Sequence, residues 1–336
     1  MMGKELNSNS DNKTVLEIKD LHVQYNTDEA VVHALNGFSL ELKRGEKLGL
    51  VGETGAGKTT MALSVLRLLP SKVGEVTRGS IVYDGIDILK ASHKEMLNLR
   101  GHRISMIFQD PMTSLNPVIT VGNQILEVLK LHFPEMSAKE MEHQVDEIML
   151  MVGIPPARKH EYPHQFSGGM KQRIVIAMAL VAEPELLLAD EPTTALDVTI
   201  QAQILELMSR LKEKFNSAMI LVTHDLGVVA EFCDTVAIVY AGEVVELGTV
   251  EDIYARKENH PYTTGLFQCI PDLTTTVDRL DPIPGFVADP TDLPEGCSFA
   301  PRCPHCTERC LKENPEMHMN GSHGIKCHLF DEKEGK

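Results

Sequence analysis

The stretch Gly52-Glu53-Thr54-Gly55-Ala56-Gly57-Lys58-Thr59-Thr60 fits the pattern G-x-x-x-x-G-K-S/T at every fixed position. Glycines let the backbone curl so that successive N–H groups point at phosphate oxygens. The lysine adds a positive charge, and the Thr59 hydroxyl is a ligand for Mg²⁺. Residues 46–51 read as a short buried strand, and residues 60–69 read as a helix stopped by Pro70. A strand, a glycine-rich loop and a helix N-terminus together predict a phosphate site, here called the phosphate loop (residues 52–60).

The composition predicts a folded protein that does not bind nucleic acid broadly. The chain has 336 residues, enough for one large or two ordinary domains, and 43% of them are hydrophobic. Lys and Arg number 32 against 48 Asp and Glu, a formal net charge of -16, whereas phosphate-backbone binding needs a basic face. No apolar run of about 18 residues occurs, and residues 1–13 read as a flexible polar tail. We therefore expect a soluble, cytoplasmic protein.

Polar side chains follow several predicted core strands at their carboxyl ends, where ligands of α/β sheets bind. Asp190 suits water-mediated support of Mg²⁺, and Glu191 suits orientation of an attacking water. The alternative, that both acids only cap the next turn, is disfavoured by the upstream phosphate loop. The strands and their polar ends are residues 103–108 with Gln109, 186–190 with Asp190 and Glu191, and 218–223 with His224.

The remaining pattern divides into strands before the loop and helices after it. Runs at residues 15–18, 31–35 and 38–42 predict antiparallel strands, among which Tyr25 reads as a half-buried strand tyrosine. Helical patterning begins at Pro111, and Ser137-Ala138-Lys139-Glu140 matches a capping box. Ser167-Gly168-Gly169 then opens an apolar helix in a way that suits an anion.

The C-terminal part differs in composition, with a boundary expected near residues 250–260. Prolines leave little room there for long helices. Five cysteines crowd the last forty residues, and in a reducing cytoplasm they favour a metal site over a disulfide framework. They are Cys297, Cys303, Cys306, Cys310 and Cys327.

In this order the motifs resemble the ATP-binding-cassette (ABC) ATPases, and Ser167-Gly168-Gly169-Met170-Lys171-Gln172 is the discriminating segment. Further segments resemble the ATPase subunits of oligopeptide and dipeptide importers. They are Phe108-Gln109-Asp110-Pro111-Met112-Thr113-Ser114-Leu115-Asn116-Pro117, His260-Pro261-Tyr262-Thr263, Ile283-Pro284-Gly285 and residues 296–304. The resemblance implies an α/β P-loop NTPase (RecA-like) core at residues 14–250, with an antiparallel β subdomain and a helical insertion at about 111–180. A small Cys/Pro-rich C-terminal domain would follow at residues 251–336.

The resemblance also implies a role for each motif residue. Tyr25 would stack on adenine, Glu191 would be the general base, and His224 would contact the γ-phosphate. Gln109 would sense Mg²⁺ and the attacking water. The other implied residues are Gly52, Glu53, Thr54, Gly55, Ala56, Gly57, Lys58, Thr59 and Thr60 for the phosphates; Thr59, Gln109 and Asp190 for Mg²⁺; Ser167, Gly168, Gly169 and Gln172 for a nucleotide held by a second cassette; and Asp197 in the D-loop.

One loop and one signature in one chain imply that a complete site needs a partner cassette. The family implies two ATP molecules between two similar, non-identical ATPases. It also implies two transmembrane permease subunits and an extracytoplasmic solute-binding protein, with this chain peripheral on the cytoplasmic face of the membrane. No nucleic-acid partner is implied.

The cysteines leave two metal groups open. The resemblance assigns Cys297, Cys303, Cys310 and Cys327 to a 4Fe–4S cluster. Cys306 is extra and forms a Cys303-Pro304-His305-Cys306 pair, which suits zinc with help from His305, His318, His323 or His328. Tetrahedral sulfur coordination is shared by Zn²⁺ and iron–sulfur centres, so the spacing alone does not decide between them. We favour the cluster over zinc, and free thiols are the third and least favoured alternative.

Other functions compete with a peptide importer. An importer ATPase for nickel or another small solute shares the same motifs. A non-transport cassette ATPase typically carries long coiled-coil insertions or two cassettes, and neither is present in this sequence. A regulatory module that uses the cysteines as a sensor is disfavoured by intact Glu191 and His224. The sequence therefore favours a peptide-importer ATPase.

Overall fold

The structure is a computed structural model that describes residues 13–194, 196–255, 257–269 and 282–331. Residues 1–12 of the expected tail and Pro271 of the proline-rich segment lie outside the described residues. The strands are β1 Thr14–Asn26, β2 Val31–Lys43, β3 Lys47–Val51, β4 Gly74–Tyr83, β5 Ile86–Asp87, β6 Ile104–Ile107, β7 Leu186–Asp190, β8 Ala218–Thr223, β9 Thr235–Tyr240, β10 Glu243–Thr249, β11 His318–Asn320 and β12 His323–Ile325.

The α-helices lie mostly between β6 and β9. They are α1 Lys58–Val65, α2 His93–Leu99, α3 Pro111–Ser114, α4 Val121–His132, α5 Ala138–Met151, α6 Gly168–Leu180, α7 Val198–Phe215, α8 Leu226–Phe232, α9 Val250–Tyr254, α10 Pro261–Gln268 and α11 Glu308–Lys312. Short 3-10 turns occupy Pro156–His160, Pro163–Gln165, Ala300–Arg302 and His328–Phe330. None of these helices, in the part of the chain that the structure describes, is both long and apolar enough to cross a bilayer.

The chain divides into two compact units. Among the described residues, unit 1 takes those within Met1–Val15, Leu42–Lys47 and Lys90–Val222. Its parallel strands run in the order β6-β7-β8, and every residue of β7 and β8 is buried. A parallel sheet covered on both faces requires such continuous apolar strands. The connection from β6 to β7 passes through α3, α4, α5 and α6, as the expected helical insertion requires.

Unit 2 takes the described residues within Leu16–Glu41, Leu48–Leu89 and Thr223–Lys336. It contains an antiparallel group in the order β2-β1-β4-β5 and a second group in the order β3-β9-β10-β12-β11. In the second group β3 pairs parallel with β9, and the remaining pairs are antiparallel. Apolar and aromatic side chains from β9, from α10 and from the residue before the 3-10 turn at residues 300–302 form a core that includes Tyr240, Tyr262 and Phe299.

Some boundaries differ from the sequence expectation for local reasons. The helix expected over residues 60–69 ends at Val65, because Arg67 adopts a φ of 50° and Leu68 N–H donates to the Leu63 carbonyl. This is a Schellman ending with arginine where glycine is usual. The first strand continues to Asn26, because a register shift after Lys19 bends the ladder without ending it. The capping box at Ser137 and Glu140 is confirmed.

Candidate functional site

The phosphate loop connects β3 to α1 within unit 2. Lys58 is 6% exposed, and its Nζ donates to the Gly52 carbonyl at 2.7 Å and to the Glu53 carbonyl at 3.0 Å. Gly57 precedes α1 with a φ of 97°, and a Cβ there would lie 2.5 Å from the Ala34 carbonyl oxygen. Only glycine fits that conformation and that space. The loop therefore presents the N-terminus of α1 in the shape that its sequence predicts.

Two further side chains adjoin the loop in unit 2. Tyr25 is half-buried, and its hydroxyl lies 3.1 Å from Thr60 Oγ1. Glu53 contacts Tyr262 through its backbone N–H and Arg302 through its carboxylate. Thr59 is exposed, which is the placement expected of a metal-binding hydroxyl.

The polar ends of β6 and β7 meet in unit 1. Gln109 Nε2 donates to Glu191 Oε2 at 3.0 Å, and Thr194 Oγ1 donates to the same oxygen at 2.9 Å. Glu191 has a φ of 45°, a conformation that non-glycine residues rarely adopt and that concentrates at functional sites. Asp190 ends β7 and is 3% exposed. The structure thus brings Gln109 and Glu191 together and orients the Glu191 carboxylate through two donors.

The signature segment, residues 167–172, begins α6 in unit 1. Ser167 is the N-cap residue, and both it and Gly168 are exposed. A Cβ at Gly169 would lie 2.8 Å from Ile200 Cγ2, so this glycine permits close contact with α7. The segment therefore offers a helix N-terminus with an exposed serine.

Gln172 is buried in the same unit, whereas Asp197 is exposed. Gln172 is 1% exposed, and its Nε2 donates to the Pro192 carbonyl at 2.5 Å. Asp197 caps α7 by accepting from Ile200 N–H at 3.0 Å. Gln172 thus ties the signature helix to the segment that follows Glu191.

His224 immediately follows β8 and is exposed. The next residue, Asp225, caps α8 by accepting from Gly227 and Val228 N–H. The cap fixes the backbone directly after His224.

Four cysteines line one small cavity in unit 2, here called the cysteine cavity. Its volume is about 10 Å³, and its lining includes Cys297, Cys303, Cys310 and Cys327 together with His260. Burial raises the pKa of Cys297 and of Cys327 to about 11. Cys306 is exposed and does not line the cavity. Within the described ranges, no group of three or more His, Cys, Asp or Glu side chains is arranged to hold a metal ion.

His260 carries a buried atom that lacks a partner among the described residues. Its Nδ1 accepts from Tyr262 N–H at 3.1 Å, so the ring proton lies on Nε2. Nε2 is buried and has no hydrogen-bond partner. A buried donor without an acceptor is rare in folded proteins and calls for a structural explanation.

Sequence reasoning missed three contact residues. Thr194 orients Glu191 from three residues away, and the phosphate loop followed by an acidic strand end was the signal that could have pointed to it. Tyr262 and Arg302 contact Glu53 across more than two hundred residues. The segments that contain these two residues resemble the importer ATPases, but no local pattern predicts their contact with Glu53.

Comparison with protein families finds two matches. Residues 35–194 match the family described as ABC transporter. Residues 245–310 match the family described as oligopeptide/dipeptide transporter, C-terminal region. The first range includes the phosphate loop and Glu191, and the second includes Tyr262, Arg302 and three of the cavity cysteines.

Individual proteins agree with the family matches. The dipeptide transport ATP-binding protein DppD of Bacillus subtilis is 48% identical over 322 residues, covering 95% of this chain and 96% of that protein. The oligopeptide transport ATP-binding protein AppD of the same organism is 45% identical, covering 95% and 98%. A dimeric ATP-binding cassette in a post-hydrolysis state, bound to ADP and phosphate, superimposes with a TM-score of 0.63 at 28% identity, over 70% of this chain and 98% of that one. The chain therefore belongs to the ATPase subunits of ABC transporters, in the branch of the oligopeptide and dipeptide transport ATP-binding proteins.

Proposed function

We propose that this chain hydrolyses ATP to power the import of oligopeptides or dipeptides across the cytoplasmic membrane. The observation that carries the peptide assignment is the match of residues 245–310 to the oligopeptide/dipeptide C-terminal region in the same chain as an ABC ATPase. The names of the DppD and AppD relatives support it. The chain would work at the inner face of the membrane as a peripheral subunit. The domain boundaries expected after residues 13 and 250 stay predictions.

The proposed residue roles follow the observed geometry. The loop N–H groups and Lys58 bind the phosphates, and Tyr25 stacks on the adenine. Asp190 and Thr59 are each assigned to Mg²⁺ by the family resemblance, and Glu191 is assigned the proton of the attacking water. Gln109 and Thr194 donate to one oxygen of Glu191, and these two bonds orient the carboxylate that we assign as the general base. His224 is assigned to the γ-phosphate.

We further propose that a second, non-identical cassette completes the nucleotide site. Ser167 and Gly168 are exposed at the start of α6, so a γ-phosphate on a partner subunit can reach this helix N-terminus. The dimeric cassette bound to ADP and phosphate supports the pairing. Closure of the pair on ATP and reopening after hydrolysis would move two permease subunits, to which a binding protein delivers peptide.

Affinity capture of the full chain from detergent-solubilised membranes tests the assembly. We expect two integral membrane proteins and one different cassette ATPase to co-elute with this chain. A mock capture with untagged chain is the control. Recovery of this chain alone, or with nucleic-acid-binding proteins, would contradict the proposal.

Four cysteines line the cysteine cavity, which is the number of thiolates that a 4Fe–4S cluster or a tetrahedral Zn²⁺ binds. His260 also lines the cavity, and its unpartnered Nε2–H faces no acceptor within the described residues. Because that nitrogen carries the proton, we assign His260 as a donor to the bound group and not as a metal ligand. His328 has both ring nitrogens in hydrogen bonds, and His323 pairs with Glu246. We propose that Cys297, Cys303, Cys310 and Cys327 hold a 4Fe–4S cluster, with Zn²⁺ the alternative.

The bound group is identified by anaerobic purification with a visible spectrum and metal analysis. We expect coloured protein with broad visible absorbance, and iron and sulfide in equal amounts. Chelation of the metal should lower the melting temperature, because the group folds a proline-rich segment. Cys306→Ser is the matched control and should keep the spectrum. Colourless protein with stoichiometric zinc would overturn the cluster assignment.

A further inference from the structure

Glu53, the second residue of the phosphate loop, is held by two side chains from the C-terminal part of the chain. Its backbone N–H donates to the Tyr262 hydroxyl at 3.0 Å. Its carboxylate accepts from Arg302, with Nη1 to Oε2 at 2.7 Å and Nη2 to Oε1 at 3.2 Å. A two-point contact of guanidinium with carboxylate fixes orientation as well as distance. Glu53 is therefore fixed through both its backbone and its side chain.

The Arg302 guanidinium is also held in place by contacts other than the one with Glu53. Its side chain is 4% exposed, whereas that of Glu53 is 28% exposed. Nε donates to the Pro284 carbonyl at 3.2 Å, and Nη2 lies 3.4 Å from the Ile283 carbonyl. The guanidinium carbon also lies 5.8 Å from the centre of the Tyr240 ring. A buried arginine held by carbonyls and an aromatic face loses little further entropy on pairing with the carboxylate.

Tyr262 is equally rigid. Its side chain is 0% exposed, and its ring packs against Tyr240 and Phe299 at centroid distances of 4.7 and 5.4 Å. The N–H of His260 at the start of this segment donates to the buried Glu246 carboxylate at 2.9 Å. The Tyr262 hydroxyl is therefore a fixed acceptor for the Glu53 amide.

The charge of Glu53 gives these contacts a consequence for ligand binding. An unpaired carboxylate in a loop that binds polyphosphate repels the ligand, and Arg302 neutralises it. Lys58 Nζ lies 3.0 Å from the Glu53 carbonyl, so a movement of Glu53 also displaces an anchor of that lysine. The position of Glu53 thus affects both its own carboxylate and the ammonium group of Lys58.

We propose that Arg302 and Tyr262 are positioning residues for ATP binding, which hold the phosphate loop in its binding shape and neutralise Glu53. The inference rests on the assignment of the loop as the nucleotide site. Arg302 directly precedes Cys303, and Tyr262 follows His260 by two residues, and both Cys303 and His260 line the cysteine cavity. Nucleotide affinity therefore depends on a folded C-terminal region.

Binding of the fluorescent analogue mant-ATP, with Mg²⁺, to the full chain tests the inference. Arg302→Met leaves the Glu53 carboxylate unpaired, so we expect about a tenfold weaker affinity. The double variant Glu53→Gln with Arg302→Met should recover most of that loss, because no unpaired charge remains. A merely structural role for Arg302 predicts no such recovery. Arg309→Met is the matched control: Arg309 lies in the same region, pairs with Glu313 at 2.8 Å and is exposed, so wild-type affinity is expected.

A milder variant decides the question if Arg302→Met does not fold. Tyr262→Phe keeps the ring and removes only the acceptor of the Glu53 N–H, so we expect about threefold weaker binding and faster hydrogen exchange of the Glu53 amide. Wild-type affinity in Tyr262→Phe, together with unchanged hydrogen exchange of the Glu53 amide, would overturn the inference. Failure of the wild-type chain itself to bind mant-ATP would instead overturn the assignment of the nucleotide site.

Discussion

Replacement of Glu191 by glutamine is expected to lower ATP turnover by about 10²- to 10⁴-fold, the range typical of a lost general base. Glutamine keeps the size of the side chain, and its carbonyl oxygen can still accept from Gln109 and Thr194, as Glu191 Oε2 does. What it loses is the proton acceptor. ATP binding should survive, because no phosphate contact is removed. Phosphate release and mant-ATP binding, measured on the captured complex, report the two quantities separately.

Thr194→Val is the matched control for that experiment. It removes one donor to Glu191 Oε2 and keeps the carboxylate, so we expect a loss of turnover well below that of Glu191→Gln. Near-normal turnover in Glu191→Gln would exclude Glu191 as the base. Equal losses in the two variants would show that the orientation of Glu191, and not its charge, limits the reaction.

Gly57→Ala is expected to abolish most nucleotide binding. The residue has a φ of 97°, and its new Cβ would lie 2.5 Å from the Ala34 carbonyl oxygen and 2.7 Å from Leu35 Cδ2. The backbone strain alone costs about 1–3 kcal/mol, and relief of the clash must displace the start of α1. We therefore expect affinity for mant-ATP to fall at least tenfold, on the order of 1.4 kcal/mol or more.

Gly55→Ala separates strain from clash in the same loop. Gly55 also has a positive φ, 85°, but a Cβ there meets nothing within 4 Å. We expect Gly55→Ala to lose less affinity for mant-ATP than Gly57→Ala, because it carries the backbone strain without the clash. Wild-type affinity in Gly57→Ala would contradict the tight fit at that residue.

Features set by near neighbours were predictable from the sequence. The phosphate loop and the strands at residues 186–190 and 218–223 follow from short apolar runs and turn residues. The capping box at Ser137 follows from a four-residue pattern. In each case the residues that decide the structure are adjacent in the chain, so their chemistry is readable without tertiary contacts.

Features set by distant partners were not predictable. Glu53 and Arg302 are 249 residues apart, and nothing near either residue indicates the other. The early end of α1 depends on Arg67 adopting a left-handed conformation, which its residue type disfavours. The role of His260 depends on which atoms surround its ring after folding. For the cysteines, the family resemblance singled out the four that share a cavity, and the structure sets Cys306 apart from them.

Peptide accumulation in vesicles tests the central claim most directly. The captured complex is reconstituted into vesicles. ATP and Mg²⁺ are supplied on the side of the membrane where this chain lies, and the binding protein and a labelled peptide are supplied on the other side. We predict ATP-dependent accumulation of peptide with the wild-type chain and none with Glu191→Gln, although that variant still binds ATP. Accumulation that is unchanged in Glu191→Gln, or no peptide accumulation with an active wild-type ATPase, would contradict the account.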